Sequence, residues 1–300
     1  MNILEISHVS KSFGSNKVIH DLSFSVPEHA VFGFIGKNGA GKTTTMKMTL
    51  GLLKADVGDI FVNGEQVTFG QNHTNRFIGY LPDVPEFYGF MTPMEYLRLC
   101  GEITGMPAAQ IKKKSAELLE LVGLKEAKKR IRSFSRGMKQ RLGIAQALLN
   151  SPRLLICDEP TSALDPLGRK EILDILHSVK EHTTVLFSTH ILSDVERICD
   201  RIAFLHEGSI ALKGTLEEIR TMRRSENIVV EFLKPEDAAW FVGLCEGSVQ
   251  TQTMLVTVCD SNGNAMHKVM QILLQNKISV ARIERLEPTL EDLFLEVTGT

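Results

Sequence analysis

The chain has 300 residues and a formal net charge of −2 at pH 7, with charged residues making up 23% of the sequence. A chain of this length can bury a full core and form two domains, while its nearly balanced charge excludes a general electrostatic attraction to nucleic acid. The five cysteines are far apart and include no Cys-x-x-Cys pair, which argues against a zinc site and in favour of a reducing compartment.

The N-terminal segment MNILEISHVS alternates apolar and polar residues, as a β-strand does. It lacks the basic start and the continuous apolar run of a signal peptide. No stretch of the chain approaches the roughly 18 apolar residues that a membrane-spanning helix needs. Any role at a membrane would therefore need another polypeptide to supply the span.

The segment GKNGAGKTTT (36–45) matches the phosphate-binding pattern Gly-x4-Gly-Lys-Ser/Thr. The preceding VFGFI (31–35) has the pattern of a buried strand, and the following KTTTMKMTLGLL has that of a helix. Backbone N–H groups of such a loop bind phosphate, and glycine lets the main chain approach the anion closely. We expect Lys42 to reach the β- and γ-phosphates and the Thr43 hydroxyl to ligate Mg²⁺. The alternative is a glycine-containing turn before a helix, without a ligand.

The rest of the first 220 residues indicates a mixed α/β arrangement. Asn63-Gly64 between two alternating runs is typical of a hairpin turn. From 92 to 150 the apolar period is helical, as in SAELLELV and QRLGIAQALL. Strands then alternate with helices, which predicts a mainly parallel sheet with covered faces. The segments are the strand RLLICDEP (153–160), the helix PLGRKEILDILHSVKEH (166–182), the strand TTVLFSTH (183–190) and two edge strands in RIAFLHEGSI (201–210).

Two carboxylates end the strand RLLICDEP. Asp158 would lie beside the Mg²⁺ held by Thr43, and Glu159 would point toward the γ-phosphate. A carboxylate in that position can take a proton from an attacking water molecule. The alternative is an acidic strand end before a proline turn.

The pattern changes after residue 221. Strand, helix, strand or strand pair, helix, strand and helix follow, an order that suits a small α+β domain of the ferredoxin-like, split βαβ type over 221–300. RTMRRSE (220–226) is the expected linker, and no catalytic constellation is recognisable beyond it. The segments are NIVVEFL, PEDAAWFVGLC, VQTQTMLVTVC, NAMHKVMQILLQN, ISVARIERLE and TLEDLFLEV.

FSRGMKQRLGIAQALL precedes LLICDEPTSALDP, and FSTHIL follows. In this order the motifs resemble the ATP-binding-cassette (ABC) ATPases over residues 1–220. The resemblance implies a P-loop NTPase domain with a mostly parallel sheet, an N-terminal antiparallel β subdomain and a helical subdomain at about 84–150.

The resemblance also implies roles for individual residues. Phe13 would stack on adenine, Asp83 would occupy the place of a glutamine that senses Mg²⁺ and water, and His190 would contact the γ-phosphate. Ser135 and Gly137 would belong to the signature loop. The implied nucleotide-binding residues are Phe13, Gly36, Lys37, Asn38, Gly39, Ala40, Gly41, Lys42, Thr43, Thr44, Asp83, Ser135 and Gly137, the implied metal ligands are Thr43, Asp158 and Asp83, and the implied catalytic residues are Glu159 and His190.

Three of these residues have structural alternatives. Phe13 could be a core residue, His190 could be a buried histidine with satisfied hydrogen bonds, and Ser135 is a good helix N-cap in any protein. The cap and the signature role are compatible, because a serine at a helix start offers a hydroxyl, free amides and the positive helix end to an anion. In the family a second copy supplies this contact, so that two ATP molecules lie between two subunits and nucleotide state moves the dimer.

The sequence departs from the usual family pattern at three positions. Arg136 and Met138 replace glycine and glutamine of Leu-Ser-Gly-Gly-Gln, and Asp83 replaces glutamine. Such variants, together with the tail EPTLEDLFLEVTG, resemble the type-two exporter branch, the bacitracin-resistance-like ATPases. A carboxylate at position 83 adds charge where an amide is expected, although it could still ligate Mg²⁺.

Two surface features suggest partners. PEFYGFMTPMEYL (85–97) has four aromatic residues, which could pack in the core or line a groove for a short helix of a membrane subunit, as in relatives. The segment 111–141 has 11 basic and 3 acidic residues. It could be a solvated helix face, a contact for lipid headgroups or, without interleaved aromatic residues, least of all a nucleic-acid surface.

Together these patterns predict an ATPase subunit of an ABC exporter that uses ATP and Mg²⁺. We expect it to form a homodimer or pair with a similar ATPase, and to lie in the cytoplasm on the inner face of the membrane, held there by integral membrane permease subunits and without nucleic acid. The alternative is a soluble ABC ATPase acting on ribosomes or DNA, although those chains usually carry two cassettes or a long insertion. A P-loop GTPase or small-molecule kinase would lack the signature and the histidine, and a GTPase would show Asn-Lys-x-Asp, which is absent.

Overall fold

The computed structural model describes residues 1–71, 73–222, 227–245, 247–258 and 264–285, together with Leu290, Glu291 and Leu293. The chain divides into two compact units, Met1–Leu216 and Glu217–Thr300. Within the described residues, no helix has the length and apolar character needed to cross a lipid bilayer.

The first unit contains two sheets. The strands are β1 (Asn2–Phe13), β2 (Asn16–Pro27), β3 (Val31–Ile35), β4 (Val57–Val62), β5 (Glu65–Gln66), β6 (Ile78–Leu81), β7 (Leu154–Asp158), β8 (Thr184–Thr189), β9 (Arg201–His206) and β10 (Ser209–Thr215). The smaller sheet is antiparallel, in the order β2-β1-β4-β5. Asn63 and Gly64 both have positive φ, 52° and 77°, and connect β4 to β5, so the predicted hairpin is confirmed.

The larger sheet has the order β10-β9-β3-β8-β7-β6, and only β10 is antiparallel to its neighbour. Strands β3, β7 and β8 are buried along their whole length, as expected for a parallel sheet covered on both faces. The expectation of two edge strands in 201–210 is wrong for β9, which lies inside the sheet. The hairpin pattern identifies β10 as a partner of β9 but contains no information about the second neighbour, β3.

Six α-helices of the described residues belong to the first unit, where they cover the larger sheet and form the region between β6 and β7. They are α1 (Lys42–Thr49), α2 (Pro93–Ile103), α3 (Ala108–Leu121), α4 (Arg136–Leu148), α5 (Pro166–Ser178) and α6 (Leu192–Ile198). Helix α7 (Leu216–Met222) begins at the boundary and lies almost wholly in the second unit. Helix α5 ends four residues before the predicted end, because His182 and Thr183 donate their backbone N–H groups to the carbonyl oxygen of Val179 in a turn that leads into β8.

Specific side chains fix where α2 and α4 begin. Thr92 and Glu95 form a reciprocal capping box at the start of α2, with a proline as its first residue. Ser135 caps α4, accepting a hydrogen bond from the Met138 N–H at 3.3 Å. The Tyr96 hydroxyl donates to Gln146 at 3.1 Å and ties α2 to α4. The cap thus fixes where α4 begins, and the tyrosine holds the far end of the helix against α2.

Besides α7, the described residues of the second unit form a single antiparallel sheet and two α-helices. Its elements are β11 (Ile228–Phe232), α8 (Pro235–Leu244), β12 (Ser248–Gln252), β13 (Leu255–Val258), α9 (Ala265–Gln275) and β14 (Val280–Arg285). The sheet order β12-β13-β11-β14 is that of the ferredoxin-like fold and confirms the predicted class. Phe232 and Phe241 lie in its core with ring centroids 5.2 Å apart. The helix predicted from TLEDLFLEV lies mostly outside the described residues, as does most of the predicted linker.

Candidate functional site

The carboxyl ends of three neighbouring strands, β3, β8 and β7, meet at one edge of the larger sheet. Ligands of open α/β sheets bind at this edge. A cavity of about 350 Å³ opens here. The cavity is lined by Asn38, Gly39, Gly41, Lys42, Thr43, Thr44, Asp83, Asp158, Glu159, Ser162 and His190. Residues separated by up to about 150 positions in the sequence thus face one space.

The phosphate-binding pattern lies between β3 and α1, as predicted. The N-cap of α1 is Gly41, which has no side chain to accept a hydrogen bond, so the cap residue leaves the first-turn N–H groups open to an anion. Lys42 is 5% exposed, and its Nζ donates to the carbonyl oxygens of Gly36 at 2.6 Å and Lys37 at 3.2 Å. Carbonyl oxygens of the loop therefore hold the ammonium group near the N-terminus of α1.

Two glycines of this loop occupy positions that no other residue can fill without movement. A Cβ on Gly36 would lie 2.6 Å from the carbonyl oxygen of Leu205, a contact with backbone that cannot swing away. Gly41 has a φ of 108°, and a Cβ there would lie 2.3 Å from Ile19 Cδ1. Close packing of the loop against its neighbours, as well as access for an anion, therefore requires glycine.

Asp158, 3% exposed at the end of β7, is held by two hydroxyl groups. Thr43 Oγ1 donates to Asp158 Oδ2 at 2.7 Å, and Ser188 Oγ donates to Asp158 Oδ1 at 2.7 Å. Ser188 Oγ also accepts from the Glu159 N–H at 2.9 Å. One serine thus orients both acidic residues. Sequence reasoning missed Ser188, because β8 also contains Thr184 and Thr189 and the strand pattern does not distinguish one hydroxyl from another.

Glu159 follows in a left-handed conformation, with φ 47°. His190 Nδ1 lies 2.9 Å from Glu159 Oε2, within hydrogen-bond distance. Glu159 Oε1 lies 3.1 Å from Lys42 Nζ, which is a charge contact without the geometry of a good hydrogen bond. The side chains of Lys42 and Glu159 are only 6% and 13% exposed, so solvent screens this contact weakly.

Two ionisable groups near Asp158, the Tyr80 hydroxyl and the Cys157 thiol, have raised pKa values. Burial, with a smaller contribution from the charge of Asp158, raises the pKa of Tyr80 to about 12. Burial followed by the same charge also raises the pKa of the Cys157 thiol. Both groups therefore remain neutral near pH 7 and add no charge to the site.

Asp83 lies on the pocket wall after β6, and its carboxylate has a cationic partner. Arg136 Nη2 lies 3.1 Å from Asp83 Oδ1. The side chain of buried Gln140 donates to the Asp83 carbonyl oxygen at 2.5 Å. Two residues of α4 therefore hold Asp83, one through its side chain and one through its backbone. The predicted contact of Asp83 with Mg²⁺ stays a prediction.

Other predicted residues lie outside the cavity lining. Phe13 ends β1, is 50% exposed and has Lys11 Nζ 5.4 Å from its ring centroid, so it is not a core residue. Ser135 and Gly137 lie at the start of α4 and do not line the pocket of their own chain. Gly36, Lys37 and Ala40 belong to the phosphate loop but do not line the cavity.

A second cavity, of about 410 Å³, adjoins the first unit's helical region. It is lined by Asp83, Val84, Pro85, Glu86, Phe87, Gly89, Ile131, Arg132, Arg136 and Lys139. Phe87 packs edge-on against Tyr96 with centroids 5.0 Å apart, while Tyr88 and Phe90 are 56% and 61% exposed. The aromatic cluster thus divides between packing and surface.

The oxygen donors at this site suit a magnesium ion that is bound partly by the protein and partly by phosphate oxygens. Thr43 and Asp158 offer two oxygens at the pocket wall. Among the residues that the structure describes, no group of three or more His, Cys, Asp or Glu side chains could hold a metal ion. Mg²⁺ is usually bound by one or two protein groups together with water and substrate phosphates, so a protein-only cage is not needed.

Two family matches cover most of the chain. Residues 19–162 match the family described as ABC transporter. Residues 214–298 match the family described as ATP-binding protein DrrA1-3-like, C-terminal domain. The second match falls on the part for which the sequence predicted a fold but no chemistry.

Curated relatives align over nearly their whole length. The ABC transporter ATP-binding protein YxlF of Bacillus subtilis is 38% identical, with 98% of this chain and 99% of the relative covered. The bacitracin transport ATP-binding protein BcrA of Bacillus licheniformis is 37% identical, with 99% and 97% covered. The linearmycin resistance ATP-binding protein LnrL of Bacillus subtilis is 33% identical, with 99% and 98% covered.

Solved structures resemble about three quarters of the chain. A structure of the ATP-binding subunit of an ABC transporter is 36% identical with a TM-score of 0.66, and the alignment covers 73% of this chain and 92% of that chain. The ADP conformation of another ABC transporter's ATP-binding cassette is 26% identical with a TM-score of 0.65, and covers 73% and 92%. The α/β P-loop fold is thus common to both and to this chain.

Proposed function

Because the chain belongs to the ABC transporter family of ATP-binding proteins, we propose that it is the ATP-hydrolysing subunit of an exporter whose permease is a separate polypeptide. The observation that carries the proposal is the convergence of Lys42, Thr43, Asp158, Glu159 and His190 on one cavity. A phosphate loop alone would fit many nucleotide-binding proteins. A loop, two carboxylates and a histidine in one cavity suit water attack on a terminal phosphate.

Binding would begin at the N-terminus of α1. The open N–H groups and the positive helix end attract the phosphates, and Lys42 leaves Glu159 to contact the β- and γ-phosphate oxygens. Phe13, which is half-exposed, stacks on the adenine ring in this proposal. The same assignment gives Thr43 and Asp158 the role of holding Mg²⁺, which when bound neutralises charge on the phosphate oxygens.

Glu159 is the proposed general base. When Lys42 turns to the phosphates, Glu159 Oε1 is released to accept a proton from water beside the γ-phosphate. His190 holds the other carboxylate oxygen through Nδ1 and presents its second ring nitrogen to the γ-phosphate. Ser188 keeps the backbone of Glu159 and the carboxylate of Asp158 in register.

A second copy would complete each site. The start of α4, with Ser135 and Gly137, lies outside the pocket of its own chain but offers an N-terminal helix end and an exposed hydroxyl. In the proposed dimer this helix end contacts the γ-phosphate bound by the partner. ATP binding then closes the dimer and hydrolysis opens it, which converts chemical energy into displacement.

The second cavity is the proposed docking site for the permease. Its wall combines the Phe87 ring with the charges of Arg132 and Lys139, and Tyr88 and Phe90 lie exposed nearby. Such a mixture of aromatic and basic residues suits a short amphipathic helix. The proposal puts the protein at the inner face of the cell membrane. The relatives named for bacitracin transport and linearmycin resistance support an export role, and the cargo depends on the permease.

Two experiments test this function. Purified protein should hydrolyse ATP in a Mg²⁺-dependent reaction, and an inactive protein that still binds ATP would contradict the catalytic assignment. A tagged chain should be recovered from washed membranes together with a multi-span protein. Recovery with ribosomes or DNA instead would favour the alternative of a soluble ABC ATPase.

A further inference from the structure

Asp83 and Arg136 are two of the three positions at which the sequence departs from the usual family pattern. They are 53 residues apart in the chain, one after β6 and the other at the first position of α4. The structure joins them in an ion pair of 3.1 Å, with side chains 46% and 41% exposed. Two departures from the pattern therefore form one contact.

An unpaired carboxylate at position 83 would disfavour the ligand. Asp83 shares the cavity with Asp158 and Glu159, while the cationic side chains lining the same cavity are Lys42 and, when protonated, His190. A nucleoside triphosphate is strongly anionic, and charges in a partly enclosed cavity are screened less than in bulk water. A third carboxylate in this cavity, without a cationic partner of its own, would therefore weaken binding, most of all without a divalent cation.

An unpaired arginine at position 136 would also be unfavourable. Arg136 lies at the positive end of α4, and the first turn of this helix contains no acidic residue. A cation at a helix N-terminus is repelled by the helix dipole, whereas a carboxylate is attracted. Asp83 supplies the negative charge that the first turn lacks. Each residue thus removes an electrostatic penalty that the other would create.

We propose that Arg136 is a positioning residue that neutralises Asp83 in the nucleotide site. The net charge of the pair is then zero, as it would be with the glutamine that the family pattern has at position 83. This inference rests on the proposed nucleotide site. The side-chain amide of the buried Gln140 donates to the backbone carbonyl oxygen of Asp83. We therefore expect the backbone at position 83 to keep its place when either side chain of the pair is changed. Charge and placement can therefore be separated experimentally.

A double-mutant cycle isolates the charge effect. The four proteins are the wild type, Arg136→Ala, Asp83→Asn and the double variant. The measured quantity is the dissociation constant of a fluorescent ATP analogue in EDTA, at a concentration where light scattering shows a monomer, so that a partner's Arg136 contributes nothing. Arg136→Ala should weaken binding roughly three- to tenfold when residue 83 is Asp and less than about twofold when it is Asn.

Three further measurements sharpen the expectation. Arg136→Lys should restore most of the lost affinity, because it keeps the charge. Higher ionic strength and added Mg²⁺ should each reduce the deficit of Arg136→Ala, because both screen the carboxylate. Arg197→Ala is the matched control, since Arg197 is 40% exposed, pairs with Asp174 at 2.9 Å and lies outside the cavity lining.

The outcomes are distinguishable. An equal loss from Arg136→Ala with Asp or Asn at position 83 would overturn the inference, as would a deficit that appears only when Mg²⁺ is added. Failure of the wild type itself to bind the analogue would contradict the proposed function instead. Circular dichroism of the four proteins of the cycle and of Arg136→Lys separates a charge effect from misfolding.

Discussion

Lys42 Nζ and Glu159 Oε1 lie 3.1 Å apart, so the lysine of the phosphate loop is in ionic contact with the proposed general base. Both side chains are nearly buried, so each would lose its opposite charge in a weakly screened environment if the other were removed. In the proposed function, a bound phosphate would compete with Glu159 for this ammonium group. The carboxylate would then be released for its proposed role as base when a nucleotide binds.

Glu159→Gln should retain ATP binding and slow hydrolysis by about 10² to 10⁴. The amide keeps the size of the side chain but cannot accept the proton from water. Binding is measured with a fluorescent analogue, and turnover by phosphate release. Glu181→Gln changes an exposed glutamate in the turn between α5 and β8 and serves as the control. Turnover of Glu159→Gln at the wild-type rate would refute its assignment as the base.

Ser135→Arg in one copy of a dimer should silence the nucleotide site of the opposite copy. The bulky cation would block the helix end that the partner's γ-phosphate contacts. A heterodimer with two different affinity tags, one copy carrying Ser135→Arg, allows each site to be followed separately. Ser135→Ala is the control for the loss of the cap, which costs about 1 kcal/mol. Loss confined to the mutated copy's own site would rule out the shared-site arrangement.

Ser188→Ala should raise the Mg²⁺ concentration needed for binding and turnover by about tenfold to a hundredfold. Removing the hydroxyl leaves Asp158 Oδ1 without its donor and Glu159 N–H without its acceptor. The measurement is the Mg²⁺ concentration that gives half-maximal turnover. Ser178→Ala is the control, because the Ser178 hydroxyl donates to the backbone carbonyl oxygen of Ile175 within α5 and lies outside the cavity lining. It should leave the Mg²⁺ requirement unchanged. An unchanged Mg²⁺ requirement would contradict the proposed role of Ser188 in orienting Asp158.

Replacing Tyr88 and Phe90 together by serine should reduce recovery of the chain with its permease, without lowering ATP affinity. The two rings are exposed beside the second cavity and contribute little to the core. Membrane recovery and analogue binding are measured on the same preparations. Phe69→Ser, which removes a ring that is 55% exposed elsewhere in the unit, is the control. Equal recovery of both variants would argue against docking at this surface.

Alkaline pH should destabilise the protein through Tyr80. Burial, with help from Asp158, raises its pKa to about 12, whereas an unfolded tyrosine ionises near pH 10. The stability linked to this group is therefore complete below pH 10 and is lost as pH rises from about 10 to 12. Tyr80→Phe should lose less stability than the wild type over that interval in denaturant titrations. Parallel losses in both proteins would show that other groups dominate.

Local patterns predicted much of the fold. The hairpin at Asn63-Gly64, the strand before the phosphate loop and the acidic end of β7 depend on neighbours in sequence, so their signals lie within short segments. The interior position of β9, by contrast, depends on a parallel partner about 170 residues away, β3, which leaves no mark on the pattern of β9 itself.

The same distinction applies to the site. The loop and the two carboxylates were recognisable from their spacing, but the contacts that orient them were not. Ser188 was not recognised because it is one of three hydroxyl residues in β8, and its importance comes from its contacts with Asp158 and Glu159 after the adjacent strand has paired with β8. Asp83 and Arg136 were noticed as separate departures, and only the fold brings their charges together. The roles assigned to the predicted site residues stay predictions until the variants are measured.

Asp83 borders both the cavity proposed for the nucleotide and the cavity proposed for the permease. If occupying one cavity shifts this residue, the two binding equilibria are thermodynamically linked. The factor by which ATP changes the affinity for the permease must then equal the factor by which the permease changes the affinity for ATP. Binding of the permease would thereby change the affinity for ATP as much as ATP changes the affinity for the permease.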